Sequence, residues 1–340
     1  MTEWILREGS KGRFRYRRAD GRPVRDERTL ERIGALVVPP AWKEVHIAAS
    51  GRAEVQAWGL DVKGRKQYRY HLRAVERGQL RKYYRVRELA KQLPDLRRRM
   101  RTHAASRTPS KRAVAATVVR LISETFIRIG SERYAEENKT FGITTLRKRH
   151  VTMTKDGPKF IYVGKKNIKQ QQTVVNRELA RLVKRQLTSP GTRLFRYQDA
   201  GKWRNLTARD VNEYLHETLG VSFSTKDFRT WGGTLRAATV LAEIGPGRSV
   251  TEARKYVATT MRLVASELGN TPTICQKSYV HPLVIARYLD EGEVIAVSRK
   301  HVASADAYAH SPEERALIRF LDKHFPERRQ AARDKATPRR

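Results

Sequence analysis

The chain has 340 residues, with 71 Lys or Arg against 35 Asp or Glu and a formal net charge of +36. An excess that large repels itself unless a polyanion is near, and it steers phosphate polymers toward the surface. The single cysteine, Cys275, excludes a disulfide framework and fits a reducing cytosol, where a buried thiol is the plain reading. Neither a CxxC nor an HExxH spacing occurs, and no apolar run reaches membrane-spanning length. The opening Met1-Thr2-Glu3-Trp4 has no signal-peptide pattern. A hydrophobic share of 39% permits a packed core in two or three domains.

The first stretch reads as strand and turn. Phe14-Arg15-Tyr16 leads into an Asp20-Gly21 turn, a hairpin signal. Leu30, Ile33 and Leu36 give helical spacing over 26–37, stopped by Val37-Val38-Pro39-Pro40 because proline cannot continue a helix. Segments 44–47 and 54–58 alternate across a Ser50-Gly51 turn, and Lys66 to His71 is a further short strand. From about Arg81 the pattern turns helical. Val114, Val118, Leu121, Ile122 and Phe126 share one face of a helix expected over 111–129, with Gly130 as its stop. Lys159 to Val163 and Ile168 to Thr173 form a hairpin about Gly164-Lys165-Lys166-Asn167. Helices are expected at 176–187, 207–219, 226–243 and 250–268, the last opened by a Ser249-x-x-Glu252 capping box.

The fold class is therefore α+β. A small β-rich N-terminal domain spans 1–77 and a larger, mainly helical domain with a small hairpin spans 78–325. A basic tail, 326–340, is read as disordered. From Lys63 to Arg112 there are 18 Lys or Arg against 3 Asp or Glu. A run this one-sided across a domain junction reads as a basic hinge with DNA lying between two lobes, although charge runs are more often plain solvated surface.

No Walker-type loop and no paired acids with metal-ligand spacing occur, so neither nucleotide nor metal cofactor is implied. The chain offers cations and tyrosines, which are what metal-free phosphoryl transfer to a tyrosine requires. Arginines clamp the charged transition state, a lysine protonates the leaving oxygen, and a tyrosine hydroxyl attacks. Four segments supply these parts. Arg128 lies in Phe126-Ile127-Arg128-Ile129-Gly130. Lys165 stands at the hairpin tip. Lys226 and Arg229, three apart, share a helix face. Leu268-Gly269-Asn270-Thr271-Pro272 puts Asn270 at a turn, with Tyr279 about two helical turns on. Each segment alone has an ordinary structural reading: a helix-end arginine, a solvated lysine, a surface ion network, a rim tyrosine.

The ordered set Arg, hairpin Lys, KxxR, then Gly-Asn-Thr-Pro with a tyrosine nine residues after the Asn resembles the poxvirus-type or bacterial type IB DNA topoisomerases. So do the stretch from Tyr134 to His150, Pro39-Pro40-Ala41-Trp42, and Gly64-Arg65-Lys66-Gln67-Tyr68-Arg69-Tyr70-His71. The resemblance covers nearly the whole chain except the tail. It implies a tyrosine recombinase/topoisomerase-like catalytic domain in which Tyr279 forms a 3′-phosphotyrosyl link. Arg128 and Arg229 stabilise the phosphate, Lys165 acts as general acid, and Asn270 donates a hydrogen bond to a phosphate oxygen. Asn270 stands where poxvirus enzymes have histidine, which makes the chain bacterial-like more than viral, and Ser131 stands where they have lysine, so their cleavage-sequence preference does not transfer to it. Gln67, Tyr68, Arg69, Tyr70, Tyr134 and Lys226 are the implied DNA contacts. The implied enzyme relaxes supercoils of both signs as a cytoplasmic, nucleoid-associated monomer clamping duplex DNA, without cofactor, nucleotide or membrane. The rivals are a tyrosine recombinase, which usually shows HxxR in place of Lys226-x-x-Arg229 and a helical N-terminal domain, and a non-enzymatic basic DNA-binding protein.

Overall fold

The computed structural model describes residues 3–10, 12–220, 223–298 and 306–325. The expected tail lies outside the described residues. The chain forms two compact units, residues 1–82 and 83–340.

The first unit is built on strands β1 (Trp4–Glu8) and β2 (Arg15–Arg17), helix α1 (Glu27–Ala35), and strands β3 (Lys43–Ala48), β4 (Val55–Leu60) and β5 (Lys66–Tyr70). The strands form one antiparallel sheet in the order β2-β1-β3-β4-β5. Ile5, Val45, Ile47 and Ala57 on one face close over Ile33 of α1 and Val24. Asp26 caps α1 by accepting from the Thr29 amide. The Asp20-Gly21 turn forms, but it leads only to a single bridge between Arg17 and Pro23; the real partner of β2 is β1. In β5, Tyr68 pairs with Trp58, Gln67 with Gly59 and Arg69 with Ala57. Successive residues of a strand point to opposite faces, so Tyr68 and Tyr70 face one way and Gln67 and Arg69 the other.

Helix α2 (Leu72–Ala105) begins in the first unit and continues in the second. The segment expected to be a basic hinge is thus mostly one 34-residue helix. Tyr83, Val86, Leu89, Ala90, Leu93, Leu96, Met100 and Ala104 recur at three- and four-residue steps and are buried, so the helix expected from about Arg81 forms, starting nine residues earlier at Leu72.

In the second unit α3 (Lys111–Thr125) is buried along most of its length. It stops at Phe126, which turns left-handed at φ 54°, four residues short of the expected end. Arg128 therefore lies on irregular chain past the helix. Helix α4 (Glu132–Glu137) precedes a three-stranded antiparallel sheet of β6 (Val151–Thr154), β7 (Gly157–Val163) and β8 (Lys169–Thr173), where only the β7–β8 hairpin was expected. After α5 (Arg177–Leu187) comes a second hairpin, β9 (Arg196–Asp199) and β10 (Lys202–Asn205), too short and polar to stand out in the sequence.

The helices α6 (Ala208–Leu219), α7 (Thr225–Ile244) and α8 (Val250–Leu268) match expectation to within a residue or two. At α8 only half of the expected capping box forms. Ser249 accepts from the Glu252 amide, but the Glu252 carboxylate takes the Arg248 amide instead. Helices α9 (Pro272–Ser278), α10 (Pro282–Glu291) and α11 (Pro312–His324) complete the unit, each with proline in its first turn, where no amide hydrogen is needed.

Helix α11 is fastened to α2 by a two-pronged pair. Arg97 donates to both carboxylate oxygens of Glu314, at 3.0 and 2.6 Å. Burial pushes the Glu314 carboxyl up, but the Arg97 bonds and charge outweigh it and leave the carboxyl below its ordinary value. That contribution to stability is complete above the ordinary glutamate range and is lost as pH falls through the lowered value. Glu314→Gln should therefore cost roughly 2–3 kcal/mol at neutral pH, low for a buried pair because Arg97 is partly exposed. Its deficit should shrink only once the pH falls below the ordinary glutamate range. Urea unfolding at neutral pH and below that range checks this, and an equal deficit at both would contradict it.

Candidate active site

Two arginines tie the end of α3 to the end of α8. Past Phe126 the chain is irregular, and the Arg128 and Ile129 carbonyls accept from the Ile143 and Thr144 amides at 2.8 and 2.9 Å. This pairing fixes the backbone that carries Arg128. The Arg128 guanidinium donates to the Gly269 carbonyl at 3.0 Å and to Asn270 Oδ1. Arg229, on α7, donates to the Leu268 carbonyl at 2.7 Å and to the Phe126 carbonyl. Leu268 and Gly269 end α8, whose last carbonyls have no partner within the helix and carry the negative end of its dipole. The cations satisfy them and hold the turn that presents Asn270.

A guanidinium can only donate, so Asn270 turns its oxygen to Arg128 and is left with its NH₂ group. Asn270 Nδ2 and Arg229 Nε are both buried donors without a hydrogen-bond acceptor among the described residues. Leaving such groups unpaired costs about 1–3 kcal/mol each, and an anion with several acceptor oxygens relieves it. Arg229 is 4% exposed. Burial lowers its pKa first and the like charge of Arg128 second, while Tyr279 opposes both.

Tyr279 closes α9, its amide donating to Cys275 O at 2.9 Å. The Arg229 guanidinium carbon lies 5.0 Å from the centre of its ring. The buried Thr234 hydroxyl of α7 secures the backbone beyond. It lies 3.3 Å from the Tyr279 carbonyl and accepts from the His281 amide at 3.0 Å. Burial raises the Cys275 thiol, in keeping with an inert neighbour. Asp227 anchors the start of α7, accepting from Arg85 at 2.9 and 3.0 Å and from the Ser224 amide at 2.8 Å.

The structure thus gathers Arg128, Asn270, Arg229 and Tyr279. Lys165 stands apart, exposed in the β7–β8 turn, with no bond to these four among the described contacts. Lys226 and Arg229 do not share an environment as expected, since Lys226 is exposed and Arg229 buried. Tyr134, on α4, is exposed.

In the first unit Gln67 and Arg69 are already engaged. Gln67 donates to Asp61 at 3.0 Å, and Arg69 donates to the Val37 carbonyl at 2.9 Å. Tyr68 and Tyr70 are exposed, their rings stacked with centroids 5.8 Å apart. His46 stacks on Trp58 at 3.9 Å, and Lys66 Nζ lies 3.5 Å from the Trp58 ring. The sequence reading left out His46 and Trp58, although the alternation at 44–47 and 54–58 was the signal that could have paired them. It also passed over Tyr162. That side chain is pushed up to about 12 by burial, against the opposing charges of Arg128 and Arg229, so it belongs to this centre electrostatically.

Among the described residues no group of His, Cys, Asp and Glu is arranged to hold a metal ion. No described helix is long and apolar enough to cross a membrane.

The Phe126 turn is held from behind by Gly232, where a Cβ would come within 2.1 Å of the Phe126 ring. Gly232→Ala should cost about 1–3 kcal/mol by overpacking. Chemical denaturation measures it, and an unchanged midpoint would show that the turn adapts freely.

Comparison with known proteins gives two family matches. A profile described as "Eukaryotic DNA topoisomerase I, catalytic core" matches residues 71–304, and one described as "Bacterial DNA topoisomerase IB, N-terminal domain" matches residues 13–61. The chain is 30% identical over 301 residues to a DNA topoisomerase 1B of Acanthamoeba polyphaga mimivirus, covering 86% of this chain and 90% of the relative. It is 28% identical over 255 residues to DNA topoisomerase 1B of Vaccinia virus (strain Western Reserve), covering 71% and 74% respectively. The same figures hold for DNA topoisomerase I of Monkeypox virus.

Proposed function

The chain belongs to the type IB DNA topoisomerase family and is an isomerase, and we propose that it relaxes DNA through a transient phosphodiester on Tyr279. The Tyr279 hydroxyl oxygen attacks the scissile phosphorus and its proton leaves to solvent. The P–O5′ bond breaks, and Lys165 supplies the proton that the departing O5′ takes up. The 3′ end is then held as a phosphotyrosyl ester while the 5′-hydroxyl strand swivels and removes supercoils of either sign. Attack of that hydroxyl on the ester reseals the strand and releases Tyr279. One phosphodiester is exchanged for another at each step, so the cycle needs no nucleotide. The cationic side chains supply the charge that a metal supplies elsewhere.

The observation that carries this reading is the assembly of Arg128, Asn270, Arg229 and Tyr279, with the Arg229 and Asn270 donors unfilled. Arg128 and Arg229 neutralise the non-bridging oxygens and Asn270 donates one hydrogen bond. Donors of this kind are each worth about 10²–10³ in rate. Tyr68, Tyr70, Tyr134 and Lys226 offer exposed contacts to duplex DNA. Gln67 and Arg69 reach it by exchanging their present partners. The working form is a bacterial, cytoplasmic monomer clamped on one duplex, with a catalytic unit folded like that of the tyrosine recombinases.

Replacing Tyr279 with Phe should abolish plasmid relaxation while DNA binding survives, and the unaltered chain should relax plasmid in EDTA without nucleotide. Relaxation by the Phe variant would remove Tyr279 from the reaction, and a strict metal requirement would remove the cation-only scheme. Lys165→Ala should slow cleavage by about 10²–10⁴. Its rate should recover on a substrate whose scissile O5′ is replaced by sulfur, which leaves without a proton. No recovery would mean that Lys165 is not the acid.

A further inference from the structure

Lys165 and Asn270 lie on separate elements, and each directly follows a glycine, Gly164 and Gly269. One side chain lies against both glycines. A Cβ on Gly164 would come within 2.9 Å of Gln170 Cγ, and a Cβ on Gly269 within 2.3 Å of Gln170 Oε1. A side chain at either glycine would press on Gln170 and oblige it to shift. Gln170 sits on β8 opposite Tyr162 of β7, one place beyond the Val163–Lys169 pair that closes the hairpin. The hairpin root is closed by the Gly164 amide donating to the Ile168 carbonyl at 2.8 Å. Two residues further along the same face, Gln172 donates to the Thr125 carbonyl at 2.8 Å and so anchors β8 to the end of α3. Gln170 makes little use of its own amide. Its one side-chain hydrogen bond among the described residues, to the Ile168 carbonyl, is 3.5 Å long. Its role here is that of a spacer between the root of the lysine hairpin and the asparagine turn.

We propose that Gln170 is a positioning residue for the proton transfer. By seating the hairpin against the 269–270 turn, it sets where Lys165 stands relative to the phosphate held at Asn270. Lys165 has no side-chain bond of its own to the centre, so its placement must come through the hairpin backbone. Gln170 is the side chain of that hairpin lying against the turn. A displacement near 1 Å at such a point can cost about 100-fold in rate. The inference rests on Lys165 being the acid, and its test separates the two claims.

Single-turnover cleavage is measured on two otherwise identical duplexes, one with oxygen and one with sulfur at the bridging 5′ position. Four chains are compared: unaltered, Lys165→Ala, Gln170→Ala and the double variant. Gln170→Ala should cleave the oxygen substrate about 100-fold more slowly and the sulfur substrate at nearly the unaltered rate. The double variant should be no slower than Lys165→Ala on oxygen, because both changes remove one function. Gln170→Met, which keeps length without the amide, should restore most of the oxygen rate.

An unchanged oxygen rate in Gln170→Ala overturns the inference. So does a loss equal on oxygen and sulfur, which marks a general structural role, or a loss that adds to that of Lys165→Ala. If Lys165→Ala itself fails to recover on sulfur, the general-acid reading is what falls. Should Gln170→Ala not fold, Gln170→Asn, one methylene shorter, gives the same comparison.

Discussion

The donation of two guanidinium groups into the main chain at the end of one helix is the constraint on which the centre depends. Arg128 and Arg229 could each have been held by carboxylates, as many arginines of this chain are. A carboxylate partner would have neutralised them. Bonding to the carbonyls of Phe126, Leu268 and Gly269 leaves their charge whole while fixing their position. Two like charges so close in a partly buried place oppose one another, and burial of Arg229 adds to the cost. The rest of the unit is arranged to hold them there. The Phe126 turn offers a carbonyl, Gly232 makes room for the Phe126 ring, and Asp227 is spent on Arg85, away from the pair.

The surrounding surface extends the same principle. With +36 net charge the chain is not at its electrostatic best alone. Several cations are tamed locally, such as Arg193 on Glu132 and Arg120 on Glu178. Such pairs organise the fold, while Lys165 and Lys226 stay exposed.

What could be read from the sequence was what is written locally. The starts of α5, α6 and α8 are short-range chemistry: Asn176, Thr207 and Ser249 each sit where the helix was expected to begin. The order of Arg128, Lys165, Arg229, Asn270 and Tyr279 was likewise visible, because order survives whatever the fold does. The end of α3 was not, since the left-handed turn at Phe126 is tied to Gly232, more than a hundred residues away. Nor was the start of α2 at Leu72, nine residues before the point where the pattern turns helical, and Gln170 looked like one of three similar residues in a polar strand. Its position between two glycines is a tertiary fact. Gln67 and Arg69 illustrate the converse: the strand was foreseen, but their internal partners were not.

The way Tyr279 is mounted carries a mechanical consequence. The residue lies at the joint between two short helices, each begun by a proline, and its carbonyl and the His281 amide meet the same buried Thr234 hydroxyl. A strand swivelling about a nick exerts torque, and whatever grips the other end must bear the load. Were Tyr279 that grip, as proposed, the load path would be brief, from the tyrosine ring through one residue of backbone to Thr234 and the middle of α7. The same helix carries Arg229, so the grip and the charge that surrounds it would yield together or not at all.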